Sequence, residues 1–446
     1  MIFNWTESAS LSGVVKHFKQ TIKDKHLAEM ATNCFLNTIQ TTVRWDPGDL
    51  PYVLTGDISA MWLRDSSAQL EPYIRFAHED PLLKSLIRGV VLRQAHYIVE
   101  DAYANAFNQK ASGQHGFPGD RTDMGPWIYE RKFEIDSLAH PIRLWWMYVH
   151  ATGDVDVLRG APCQAVTRML EVLECEQDHE ARSAYRFQRP GTNSSDTLLR
   201  CGLGPPSRPT GMIWSGFRPS DDATTYPYLI PAQMFMAVSL DMISEWADTI
   251  WADEDMQTRV QRLKSQILAG ILRYGIREAE PYGRIWAYEV DGLGNALLMD
   301  DANVPSLLAL PYLNFCAVDH PIYRNTRRWL LSAENPYYYE GKMLSGVGSP
   351  HTPTHYAWPL AVIMQAMTEP LPRTAWDVAM KLANADGGTG LMHESVDVDD
   401  PARYTRPWFA WANSMFAELI LRALGFDPIT RPPLVSRDWS QERVIH

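Results

Sequence analysis

Apolar residues recur at spacings of three and four along most of this chain, as they do in helices that bury one face. Leu83, Leu86, Ile87 and Val90 form one such stripe, and Asp80-Pro81 before it supplies an N-cap residue and a proline for the first turn. Val260, Leu263, Ile267, Ile271 and Tyr274 form a second, which ends near Gly275. A last stretch runs from Trp408 to Leu424, with Gly425 placed to cap it and Pro428 soon after. Similar patterns lie near residues 26–43, 64–78, 136–151, 155–178, 231–247, 302–316, 322–333, 356–368 and 374–385. Strand signals are few: Tyr185–Gln188, and Ile285–Val290 before the turn Asp291-Gly292.

About a dozen helices at a spacing of roughly 35–40 residues, with no repeated motif, do not describe a solenoid of like repeats. Helical hairpins joined by long, chemically rich loops fit better. The expected fold class is all-α, an (α/α)6 barrel of six hairpins with a few short strands at its rim. No linker, charge block or low-complexity run divides the chain, so residues 1–446 are read as a single domain.

Charge narrows the partners. A net charge of -12 disfavours nucleic acid and anionic membrane surfaces, and is compatible with a neutral glycan. Sixteen Trp and nineteen Tyr could fill a core or stack on sugar rings. Five scattered cysteines, never spaced as CxxC, argue against a thiolate zinc site or a disulfide framework and are read as buried thiols. No stretch has the apolar length of a membrane span, and the N-terminal residues lack the pattern of a signal peptide. On that reading the expected compartment is the cytoplasm.

Five polar-aromatic clusters interrupt the helical pattern. Thr55–Ser66 (TGDISAMWLRDS) combines Asp57 and Asp65 with Arg64 and Trp62 just before a helix. Asp65 or Ser66 could equally cap that helix. Gln114–Pro118 holds His115, and Glu134–Ser137 follows, where Asp136 with Ser137 reads first as a cap. Trp214–Ala223 ends in the adjacent carboxylates Asp221 and Asp222, and like charges nearby raise the pKa of one, as a general acid requires. Trp286–Pro305 carries Asp291, Asp300, Asp301 and Asn303, a pattern for capping that lacks EF-hand spacing. Gly390–Asp397 presents Glu394 after a flexible glycine-rich approach, and Arg406-Pro407-Trp408 follows. His393-Glu394 is not followed by a second His, so the zinc-protease pattern is absent. His351 and His355 are four apart, but Pro353 between them makes a shared helix face doubtful as a metal site.

No GxSxG, P-loop or dinucleotide fingerprint occurs. Carboxylates with Arg, His, Asn and Trp suit glycoside hydrolysis, where two carboxyl groups flank the scissile bond.

The chain resembles glycoside hydrolase family 125, the exo-α-1,6-mannosidases. TGDISAMWLR at Thr55–Arg64, EIDSL at Glu134–Leu138, SGFRPSDDA at Ser215–Ala223, Asp291–Pro305 and GLMHESVD at Gly390–Asp397 carry the likeness over nearly the whole chain. The resemblance implies an (α/α)6 barrel, an inverting mechanism, no metal or other cofactor, Asp221 as acid and Glu394 as base. Asp222 is the rival acid. Asp57, Arg64, Asp65, His115, Asp222, Asn303, His351 and Arg406 are candidate hydroxyl partners, and Trp62 and Trp286 candidate stacking platforms. Inversion implies carboxyl groups about 6.5–9.5 Å apart. The alternatives are a glucoamylase-type exo-glucosidase, a mannoside-binding protein without turnover, and a metal-dependent hydrolase using Asp300, Asp301 and the histidines.

Overall fold

Two kinds of helix alternate along the chain in the computed structural model, which describes residues 5–369 and 373–439. One kind is amphipathic. Lys25–Asn37, Pro81–Glu100, Ala161–Glu176, Glu254–Tyr274 and Pro321–Leu330 each bury one face and leave the other to solvent, and Arg373–Ala383 follows the same pattern. The other kind is buried nearly all round: Leu63–Ala68 with Glu71–Ile74, Asp136–Thr152, Ile230–Trp246, Pro359–Met367 and Ala410–Ala423. A helix apolar on every side must sit inside a ring of others. Each inner element is partnered by an amphipathic one, and Ala410–Ala423 packs back on both Lys25–Asn37 and the 63–74 segment, which closes the ring. This is an (α/α)6 barrel. One hydrophobic cluster runs through it from Leu11 to Trp439.

The sixth inner position holds turns where a helix over 302–316 is expected. Pro305 and Pro311 remove two amide donors from that stretch. Asp300 caps it instead, accepting the N–H groups of Leu307 at 2.9 Å and Leu308 at 3.0 Å. Other differences are local. The 155–178 pattern splits at Gly160 (φ +78°) into a 3-10 turn Val155–Leu158 and a helix. The 64–78 pattern splits into the two short helices already named. Tyr185–Gln188 forms no strand, only a bridge from Gln188 to Arg121. Ile285–Val290 divides into Gly283–Trp286 and Glu289–Val290. The helix Ala9–Thr21 lies outside the expected set, and Ser8 caps it.

Short strands gather where the inner helices begin. Met61–Trp62, Ala106–Phe107 and Ile128–Glu130 form one three-stranded sheet. Tyr356–Ala357, Ser395–Asp397 and Tyr404–Thr405 form another. Met61–Trp62 runs straight into Leu63–Ala68 and Tyr356–Ala357 almost into Pro359–Met367, so the sheets fix the loops at the helix N-termini. Cys34 and Cys316 are buried as expected, whereas Cys163 and Cys175 are partly exposed and Cys201 is exposed. Among the described residues no helix is long and apolar enough to cross a membrane.

Candidate active site

The N-termini of four inner elements converge on one pocket. Arg64 and Asp65 come from the start of Leu63–Ala68, Trp358 precedes Pro359–Met367, and Phe409 and Trp411 flank the start of Ala410–Ala423. Asp136, on the pocket's buried side, is the first residue of Asp136–Thr152. Helix N-termini carry partial positive charge, which favours carboxylates gathered there. The strand Met61–Trp62 supplies Trp62 to the same wall, and loops supply Thr55, Ile58, Ser220, Asp221, Asn303, His351, Glu394 and Arg406. The pocket opens outward into a cleft of about 570 Å³, which it shares through Trp62, Asp221, His351, Glu394 and Arg406. Phe117, Tyr129, Lys132, Arg189 and Asp222 line the outer part.

Each of the two lead carboxylates has its own arginine. Glu394 is buried, accepts the Thr405 hydroxyl at 2.9 Å and lies 3.4 Å from the Arg406 guanidinium. Arg406 is held from behind by Asp57 at 2.5 Å. The glycine-rich approach to Glu394 is pinned rather than loose, because Asp386 accepts the N–H groups of Gly388 and Gly390, each at 2.8 Å. His393 faces away from the pocket, stacked on Tyr404 with ring centres 3.6 Å apart.

Asp221 sits 3.2 Å from the Arg64 guanidinium. Its backbone is left-handed (φ +66°), a strained state for a side-chain-bearing residue, and strain of this kind collects at functional sites. The turn is locked: Asp221 donates its N–H to Arg218 at 2.9 Å, and Lys132 donates to the Asp221 carbonyl at 2.7 Å. Arg64 also binds Glu134 at 2.6 Å and Asp136 at 3.2 Å. Glu134 and Asp221 thus sit on the two terminal nitrogens of one guanidinium, Nη1 and Nη2. Burial pushes the Asp221 carboxyl up, but Arg64, Glu134, Lys132 and His351 together pull it well below the usual range. Glu134 moves the other way. Its burial and its proximity to Asp221 and Asp136 outweigh Arg64 and hold it well above the carboxylate range. Burial, offset in part by Arg64, likewise holds Asp65 and Asp136 at about 6.

Asp222 turns away from the inner pocket and pairs with His351 at 3.1 Å. Burial works against a charge on His351, but the bond to Asp222 and the nearby charges of Glu394 and Asp221 raise it to about 9. Ser220 donates to Asp301 at 2.9 Å, and Asp301 also accepts from Asn303 at 3.2 Å, which fixes the pocket floor.

The structure therefore brings Trp62, Arg64, Asp65, Asp221, Asn303, His351, Glu394 and Arg406 to one pocket, with Asp222 at its outer margin. Three expected residues stand elsewhere. Trp286 is 1% exposed and stacks on His320, so it is core and offers no platform to a sugar. His115 lines neither part of the cleft, and its ring bonds to the Ile128 carbonyl at 2.9 Å. Asp57 stands behind Arg406 rather than on the wall. Asp136 is no side-chain cap, since Arg64 takes its carboxylate. Trp358, Phe409, Trp411, Lys132 and Thr405 were not legible as site residues, because large aromatics before helices read first as core. Among the described residues no three His, Cys, Asp or Glu side chains cluster to hold a metal ion.

Comparison with known proteins gives this pocket a family. A Streptococcus pneumoniae metal-independent alpha mannosidase, solved in a non-productive complex with alpha-1,6-mannobiose, superposes with a TM-score of 0.92 at 42% identity, covering 96% of this chain and 100% of that one. The meiotically up-regulated gene 157 protein of Schizosaccharomyces pombe is 39% identical over 443 residues, covering 94% of this chain and 87% of its own length. A bacterial glucoamylase with acarbose bound shares the fold alone, with a TM-score of 0.54 at 13% identity over 87% of this chain and 51% of that one. The sequence model of the GH125 metal-independent alpha-mannosidases matches residues 24–421, and the chain belongs to that family of glycoside hydrolases.

Proposed function

We propose that this alpha-mannosidase removes terminal α-1,6-linked mannose from the non-reducing end of oligomannosides or N-glycan fragments with inversion, with Asp221 as general acid and Glu394 as general base. The observation that carries this is the pair of carboxylates in one pocket, each oriented by a separate arginine. The terminal mannose occupies the inner pocket, against Trp62, Asn303 and Asp65. The leaving sugar lies in the outer cleft. Asp221 gives its proton to the glycosidic oxygen. Glu394, held by Thr405 and Arg406, takes a proton from the attacking water, and the C1–O bond breaks as water bonds to C1 from the opposite face. Asp222 is the weaker candidate for the acid, because it is engaged with His351 outside the inner pocket. The whole chain is read as a single catalytic domain.

Proton NMR of an α-1,6-mannobiose digest tests the reading. β-Mannose appearing first, with loss of activity in Asp221→Ala and Glu394→Ala, supports it. α-Mannose appearing first overturns inversion. Binding of the disaccharide without release favours a mannoside-binding protein instead.

A further inference from the structure

Four acidic side chains surround the single guanidinium of Arg64: Glu134 at 2.6 Å, Asp136 and Asp221 at 3.2 Å and Asp65 at 3.6 Å. Glu134, Asp136 and Asp65 are at most 4% exposed at the side chain, and Asp221 is 29% exposed, on the pocket side. One positive charge cannot neutralise four carboxylates, three of them buried, and a bare buried carboxylate takes up a proton rather than stay unpaired. The other charged groups facing the cluster do not restore the balance. Lys132 binds the Asp221 backbone carbonyl and is itself engaged by Asp196 at 2.5 Å. His351 is paired with Asp222, and Arg406 with Asp57 and Glu394. Glu130, joined to Glu134 through Asn105, is itself paired with Arg189 at 2.8 Å and leaves the balance unchanged.

The placing of a proton within this cluster follows from enclosure. Glu134 and Asp221 sit on the two terminal nitrogens of one guanidinium, Nη1 and Nη2, and of two carboxyl groups held so close the one farther from water keeps a proton more readily. Glu134 is wholly enclosed and also accepts the Ser137 hydroxyl at 2.9 Å. Asp221 reaches both the enclosed pair and the pocket.

We infer that Glu134 stores the proton that Asp221 delivers to the leaving group, so that Glu134 is a positioning residue for the acid. This rests on Asp221 being the acid. With the pocket open, the pair holds one proton on Glu134 and Asp221 is ionised against Arg64 and water. A sugar seated over Asp221 removes that water and disfavours its charge. The proton then moves from Glu134 to Asp221, and from there to the glycosidic oxygen. Both carboxylates are left ionised on Arg64, and the pair regains a proton from solvent through the outer cleft after the products leave.

Glu134→Gln tests this. Glutamine keeps the size and can donate to Asp221, but it has no proton to transfer and stabilises ionised Asp221. On α-1,6-mannobiose at pH 7 the variant is expected to lose activity by about a hundredfold, the scale of a general-acid contribution. The basic limb of its kcat/KM profile moves to lower pH by about one unit or more, because Asp221 alone on Arg64 releases its proton earlier. Activity on 2,4-dinitrophenyl α-mannoside, whose leaving group needs no proton, stays within a few-fold of wild type. Glu134→Asp, which shortens the reach, shifts the limb in the same direction by less, and it carries the test if the glutamine variant does not fold. Equal losses on both substrates with an unmoved limb would falsify the proposal and make Glu134 purely structural. Wild-type activity in both variants overturns it as well. Failure of the underlying reading looks different: Asp221→Ala would then not recover on the dinitrophenyl substrate.

Discussion

At the scale of single residues, the site pairs each of its two proposed catalytic carboxylates with an arginine, and each arginine with a further acid behind it. Asp57 is the support for Arg406. Asp57→Ala is expected to lower kcat about tenfold, a cost of about 1.4 kcal/mol, because Arg406 loses its anchor and orients Glu394 less well. Steady-state kinetics on α-1,6-mannobiose checks it, and an unchanged kcat would show that Thr405 alone suffices. His351 yields a pH prediction. Its folded-state pKa of about 9 lies above the ordinary value near 6.5, so its pair with Asp222 contributes full stability below about pH 6.5. That contribution fades as pH rises through about 9. An NMR titration of the His351 ring should show a midpoint near 9 in the wild type and a fall toward the ordinary value in Asp222→Asn.

At the scale of elements, the helices were mostly legible because the outer ones carry an apolar stripe, and Asp24, Asp80 and Asp253 cap three of them. Asp80 shows the logic: its carboxylate accepts from Leu82 at 3.1 Å and Leu83 at 3.2 Å, as the Asp80-Pro81 pair foretold, and also takes the Ser8 hydroxyl from another helix. Asp80→Ala should cost about 1–2 kcal/mol in denaturant unfolding, with activity of the folded enzyme unchanged. Inner helices such as Ile230–Trp246 were read from the same apolar pattern, but the structure buries them on nearly every face rather than along one stripe. Loop elements depend on close backbone approach. Gly56 has φ +141°, and a Cβ there would lie 2.6 Å from the Trp408 carbonyl. Gly56→Ala should therefore push the Asp57 loop away from Arg406. A stability loss of about 1–3 kcal/mol is expected, together with a drop in kcat. Full activity and an unshifted melting temperature would mean that the loop absorbs the methyl.

At the scale of the whole molecule, the ring closes through contacts between the two ends of the chain. Cys34 in Lys25–Asn37 donates to Asn413 in Ala410–Ala423 at 3.1 Å across 379 residues. Thr38 and Ser414 share a hydrogen bond of 2.9 Å beside it. The site depends on that closure, since Arg64 comes from one end of the chain, Asp221 from the middle and Glu394 from the other end. Phe416 is wholly buried in the closing helix. Phe416→Ala should destabilise the barrel by about 3–5 kcal/mol through lost packing and a cavity. The pH profile of the remaining folded enzyme should not move, since the mutation touches no charged group. A profile that moves with it would tie barrel packing to the proton balance of the pocket.

The sequence by itself determined the all-α character, most helices and the loops that carry polar chemistry, because capping residues, prolines and apolar period act over one or two helical turns. Its long motifs also determined the family, and with it Asp221 and Glu394 as the residues to examine. Tertiary structure decided what depends on distant partners. The 302–316 segment is buried like its inner neighbours yet turns instead of coiling, since its prolines and Asp300 satisfy it locally. Trp286 looked like a sugar platform and is core, because a tryptophan beside a carboxylate motif carries no label for the face it will take. The charge balance around Arg64 was hidden for the same reason. Glu134 and Asp221 lie 70 and 157 residues from the arginine they share, and only the closed barrel sets the three groups against one another at the wall of one pocket.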